Sequence, residues 1–81
     1  MRVLYFAWVR ERIGRPWEDV ETTAATPAAL ADELAAREER YAAAFADRRA
    51  LRVAIDQRLV DFDAPLKGAR EVAFFPPMTG G

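Results

Sequence analysis

The chain has 81 residues, 12 basic and 13 acidic side chains, and a formal charge of −1. Apolar residues make up 52%, but 17 of them are alanine, so the larger ones suffice for one helix-on-sheet core and no more. Cys, His, Ser and Asn are all absent, which excludes a disulfide frame, imidazole-based acid–base or triad chemistry and the usual zinc sites.

The slight excess of acid argues against a nucleic-acid partner, because phosphate binding needs a cationic surplus. Arg outnumbers Lys 11 to 1, which reads as genome composition. No apolar run is long enough to span a bilayer, and the N-terminus lacks a signal-peptide pattern. The expected location is the cytoplasm, with no membrane partner.

Residues 2–10 read as a strand rich in aromatic and β-branched side chains. Val3, Tyr5, Ala7 and Val9 then share one face. Leu4, Phe6 and Trp8 share the other with Arg2 and Arg10. Residues 11–15 suggest a short helical turn, stopped at Gly14 with Pro16 beyond it. Residues 17–21 return as a second strand.

Thr26 offers an N-cap oxygen, and Pro27 fits the first helical position. Leu30 with Leu34, and Tyr41 with Phe45, have the four-residue spacing of one helix face. A single helix over 27–47 would be roughly 31 Å long, so a break is expected near Arg40. Leu51, Val53 and Ile55 alternate as a half-buried strand. Gln57 and Arg58 turn the chain into a short strand over 59–62. Residues 61–68 read as a loop. Residues 71–75 form the last strand, with Val72 and Phe74 inward and Glu71, Ala73 and Phe75 outward. The order β, β, α, β, β, β predicts an α+β domain. Its main helix covers one face of a mixed sheet, and the other face is left bare.

The sequence closes on Pro76-Pro77-Met78-Thr79-Gly80-Gly81. Pro76 has no backbone donor and ends the strand ladder; two adjacent prolines make a stiff stub. Gly80 and Gly81 can pass a channel too narrow for other residues, leaving a carboxylate as the reactive group at the tip. That group is a poor electrophile until activated, normally as an acyl-adenylate from ATP. The chain has no phosphate-binding loop, so another protein must supply this step. Residues 1–75 are therefore read as the folded domain and 76–81 as a flexible diglycine tail.

The bare sheet face supplies a second signal. Leu4, Phe6, Trp8, Leu59 and Phe75 would form an exposed apolar cluster, the mark of a partner surface, beside the strand from which the tail leaves. The weaker constellations take structural readings. Glu38-Glu39-Arg40 and Asp47-Arg48-Arg49 read as solvated helix faces, Asp61 and Asp63 as turn residues, and Arg10, Glu11 and Arg12 as an exposed ionic group worth little. Lys67 reads as solubilising.

Taken together, Val3-Leu4-Tyr5-Phe6-Ala7, Val9-Arg10-Glu11, Gly14, Leu59-Val60, Pro65-Leu66, Glu71-Val72-Ala73-Phe74-Phe75-Pro76-Pro77 and Thr79-Gly80-Gly81 resemble the small, sulfur-carrying subunits of molybdopterin synthase. These belong to the MoaD/ThiS-type ubiquitin-like β-grasp proteins. The diglycine alone fits any ubiquitin-like carrier; the Phe-Phe-Pro-Pro run favours the molybdopterin branch over the thiamin carriers. Lys67-Gly68-Ala69-Arg70 stands where the family often has Asp-Gly-Asp, Asp56 where Asn is common, and Met78 where Val is usual.

The resemblance implies a carrier with no catalytic side chains of its own and no permanently bound cofactor or metal. An adenylating, E1-like enzyme would activate Gly81 with ATP, and a sulfur donor would convert it to a thiocarboxylate. Pro76, Pro77, Met78, Thr79 and Gly80 would thread into the large synthase subunit, with Leu4, Phe6, Trp8, Leu59 and Phe75 docking on it. Sulfur would pass to cyclic pyranopterin monophosphate, within a heterotetramer. A ubiquitin-like modifier, or a carrier for thiamin or tRNA thiolation, would use the same tail.

Overall fold

Alternation of Val3 and Tyr5 with Arg2 and Leu4 gives β1 (Arg2–Tyr5), the first strand of the computed structural model, which describes residues 1–77. The strand is shorter than the 2–10 expected. After Phe6 the chain turns at Ala7, whose φ of 53° lies in the left-handed region, and enters α1 (Ala7–Ile13). Val9 and Ile13 are four residues apart, and the helix buries both completely while Arg10, Glu11 and Arg12 stay exposed. An extended chain would hold Val9 and Ile13 about 13 Å apart, whereas one helical turn stacks them. Gly14, at φ 92°, ends α1 as expected, and its N–H donates to Arg10 O at 2.8 Å.

β2 (Trp17–Asp19) pairs antiparallel with β1. Thr26 caps α2 (Pro27–Ala35), its hydroxyl oxygen accepting the Ala29 N–H at 3.1 Å, and Leu30 and Leu34 are buried. The helical region breaks at 36–38, just before Arg40, and resumes as α3 (Glu39–Ala44). The bend brings Tyr41 back beside Tyr5 and lays Phe45 edge-on against Phe74, at 4.9 Å between centroids. Arg40 is not merely solvated, because its guanidinium donates to Ile13 O at 2.8 Å and ties α3 to the end of α1.

A 3-10 turn (Arg48–Ala50) leads into β3 (Arg52–Ile55). Arg48 reaches back to Asp32 of α2. The β3–β4 hairpin turns at Asp56-Gln57, one residue earlier than expected. Both have positive φ, 49° and 70°, as the twist of a two-residue hairpin requires. Arg58 thus opens β4 (Arg58–Val60) opposite Ile55. β4 stops at Val60, and Phe62 instead stacks on Phe74 at 6.2 Å. β5 (Glu71–Phe75) has the expected bounds and faces, with Val72 and Phe74 fully buried.

The sheet order is β2-β1-β5-β3-β4, with β5 parallel to β1 and antiparallel to β3. The class is α+β, with a mixed five-stranded sheet. Its core of Val3, Tyr5, Leu30, Leu34, Val53, Val72 and Phe74 lies between one sheet face and the helices.

Candidate docking groove and tail root

Strand register places Trp17, Leu4, Ala73, Ala54 and Leu59 in one row across the outer sheet face. Directly opposed residues share a face, so all five project away from the helices. The alanines at 54 and 73 keep the middle of the row low. Leu4, Phe6 and Phe75 rise beside them, and Pro76 and Pro77 continue the same surface. The result is an apolar groove of about 760 Å³, with Ala7, Gln57 and Glu71 completing its lining. Phe6 is 46% exposed, a large aromatic surface that no described residue covers.

Of the residues predicted to meet a partner, Leu4, Phe6 and Phe75 line this groove together with Pro76 and Pro77. Leu59 shares the row but sits on edge strand β4, 70% exposed and outside the groove. Trp8 does not belong to the cluster. Strand alternation stops before it, and α1 carries it to a different surface, partly buried against the core, where Arg12 stacks over its ring at 4.8 Å. The positions assigned at 78–81, Met78, Thr79, Gly80 and Gly81, lie outside the described residues.

Sequence reasoning missed Ala7, Ala54, Gln57 and Glu71 as groove residues, and Trp17 as an exposed neighbour. Outward parity was legible for Glu71 and Ala73, but which strands lie side by side was not. Asp56 has a positional role: its Oδ1 accepts the N–H groups of both Arg70 and Glu71 at 2.9 Å, fixing the start of β5. An amide oxygen at this position could accept the same two bonds.

A second polar constellation lies on the helix side. Glu18 Oε2 accepts from Tyr5 Oη at 2.8 Å and from Tyr41 Oη at 2.5 Å, joining β1, β2 and α3. Arg15 pairs with the other carboxylate oxygen at 3.4 Å. Burial, and then the hydrogen bond to the Glu18 carboxylate, push both phenols above their ordinary value, Tyr5 most. The arrangement is a structural clamp and does not reach the groove. Asp61 accepts the Ala64 N–H through its backbone oxygen, a turn contact. Arg10, Glu11 and Arg12 form no ion pairs with described residues. Among the described residues no cluster of His, Cys, Asp or Glu is arranged to hold a metal ion, and no helix is long and apolar enough to cross a membrane.

The last strand runs parallel beside the first at the middle of a mixed sheet, and the helices all cover one face. This defines a ubiquitin-like β-grasp domain. The same fold is seen in SAMP1 from Haloferax volcanii, with a TM-score of 0.76 at 23% identity, covering 100% of this chain and 98% of that one. The sequence model of the ThiS family matches residues 3–81, and the chain belongs to that family. It is 46% identical over 81 residues to the molybdopterin synthase sulfur carrier subunit of Escherichia coli, covering 100% of this chain and 99% of the relative. The protein of the same name from Haemophilus influenzae is 40% identical over 81 residues, with the same coverage.

Proposed function

We propose that this chain is a sulfur carrier for molybdopterin synthesis, with the carboxyl carbon of Gly81 as the working atom. An E1-like enzyme joins that carboxylate to AMP, consuming ATP and releasing pyrophosphate. A sulfur donor protein then displaces AMP and leaves a thiocarboxylate. The loaded carrier docks through the groove on the large subunit of molybdopterin synthase, and residues 76–81 enter that subunit's active site. Sulfur passes to cyclic pyranopterin monophosphate, two carriers serving each product, in a cytoplasmic heterotetramer. The chain supplies the reactive atom and a docking face, and the partner supplies the catalytic side chains. Such a division suits a chain without Cys, His or Ser. No resident cofactor is needed; the sulfur itself is the covalent cargo.

One observation carries the reading. β5 delivers Phe75, Pro76 and Pro77 into the lining of the apolar groove, so the docking surface and the root of the tail are continuous. A partner seated there meets Pro76 and Pro77, the root of the tail. The names of the full-length relatives support the same assignment.

Intact-mass measurement after incubation with ATP, the cognate activating enzyme and a sulfur donor should show one oxygen exchanged for sulfur, absent when Gly81 is deleted. Finding only conjugates to lysines of other proteins would establish a modifier instead. A thiocarboxylate that the synthase cannot discharge would assign the sulfur to thiamin or tRNA thiolation.

A further inference from the structure

We infer that Glu71 in the groove lining and Arg52 beside its tail end form a two-charge key that fixes the direction in which the large subunit docks. Apolar burial has no direction, so a smooth groove alone would accept a partner segment either way round. Two ionised side chains break that symmetry. Glu71 lines the end of the groove far from the tail and is half-buried, yet its carboxylate makes no ion pair with any described residue. Its register neighbour Arg2 is engaged elsewhere, paired with Asp19 at 3.8 Å and stacked over Trp17 at 4.4 Å. At the tail end, Arg52 stands directly opposite Phe75 and so leaves the sheet on the groove's face, beside the groove and outside its lining. Its guanidinium donates only to the backbone oxygens of Leu51 at 2.8 Å and Arg49 at 3.4 Å.

Four residues of strand separate the two levels, about 13 Å. That exceeds the screening length of about 8 Å at physiological salt, so each charge reads its own counterpart. The fitting partner is a segment with a cationic side chain facing Glu71, a carboxylate facing Arg52 and apolar side chains between. Docked this way, the half-buried Glu71 loses water but gains a counter-charge. Docked in reverse, like charges meet at both ends, and the tail points away from the site it must enter.

The inference rests on the docking reading proposed above. Its test is calorimetric titration of the full chain with the cognate large subunit at two salt concentrations. Glu71→Arg and Arg52→Glu should each weaken binding at least tenfold, and their effects should combine additively on the free-energy scale. Glu71→Gln and Arg52→Gln keep the strands intact should the reversals not fold. They should weaken binding about threefold and flatten its salt dependence. Phe75→Ala separates the two claims. If it weakens binding while every charge variant stays within twofold of the parent, the key is wrong and the docking reading stands. If neither Phe75→Ala nor the charge variants have any effect, the docking reading fails with it.

Discussion

The two faces of β5 differ in what covers them. Val72 and Phe74 point inward and are fully buried. Phe74 alone has the rings of Tyr5, Phe45 and Phe62 within 6.5 Å of its own. Glu71, Ala73 and Phe75 point outward into a groove that the described residues leave uncovered. Each face carries a large phenylalanine, so an aromatic side chain alone does not distinguish them. What distinguishes them is that α2 and α3 return over one face, while the described residues supply no cover for the other. The inner face maintains the fold, and the outer face is the one proposed to receive another molecule.

The sharpest way to break this comparison is to truncate adjacent phenylalanines. Phe74→Ala should cost about 3–5 kcal/mol in urea unfolding, enough to leave a domain of this size largely unfolded. Phe75→Ala should cost under about 1 kcal/mol, because the side chain is only partly enclosed, yet weaken large-subunit binding at least tenfold. A comparable loss of stability in both would mean that the outer face also belongs to the folding core.

The Glu18 clamp tests whether the inner side depends on polar as well as apolar contacts. Glu18→Ala leaves two phenol hydroxyls short of their acceptor and should cost about 2–3 kcal/mol, read as a lower denaturation midpoint. Binding through the groove should persist under conditions where the variant stays folded. Tyr5→Phe removes one hydrogen bond and should cost about 1 kcal/mol.

The same network gives a pH dependence. Both tyrosines hold their protons more tightly in the fold than in the unfolded chain, where Tyr titrates near its ordinary value of 10.0. Their contribution is therefore complete below pH 10 and is lost as pH rises through the folded values. The denaturation midpoint, followed from pH 8 to 11, should begin to fall around pH 10. The fall should be shallower in Tyr5→Phe and shallower still in the Tyr5→Phe/Tyr41→Phe double variant.

How much of this was legible in the sequence depended on the range of the interaction involved. β5 and the α2 cap depend on local chemistry, namely alternation before Pro76 and Thr26 followed by Pro27. Both were read correctly. The groove was half legible, because Leu4, Phe6 and Phe75 are large and apolar, whereas Ala54 and Gln57 join only through pairing between strands distant in sequence. The error at Trp8 came from periodicity. Residues 2–10 alternate well enough to imitate a strand, and the competing spacing of Val9 and Ile13 emerges only beyond that window. Glu18 gave no signal as a clamp, since its partners are 13 and 23 residues away.

The smallest effect tests the junction between the two faces. Ala7 sits where β1 gives way to α1, its φ of 53° in a region that costs an L-residue about 1–2 kcal/mol. Phe6, just before it, donates its N–H to Phe74 O at 3.2 Å and projects into the groove. The turn thus attaches the edge of the groove to the core strand. Glycine adopts this conformation freely but loses about 0.5–1 kcal/mol more backbone entropy on folding. Ala7→Gly should therefore raise stability by about 0.5 kcal/mol, near the limit of detection by urea unfolding. Ala7→Val should do the opposite, because a β-branched side chain fits the left-handed region poorly and would shift Phe6. If Ala7→Gly were instead destabilising by 1 kcal/mol or more, the turn would be relaxed in the native protein. The exposure of Phe6 would then owe nothing to backbone strain.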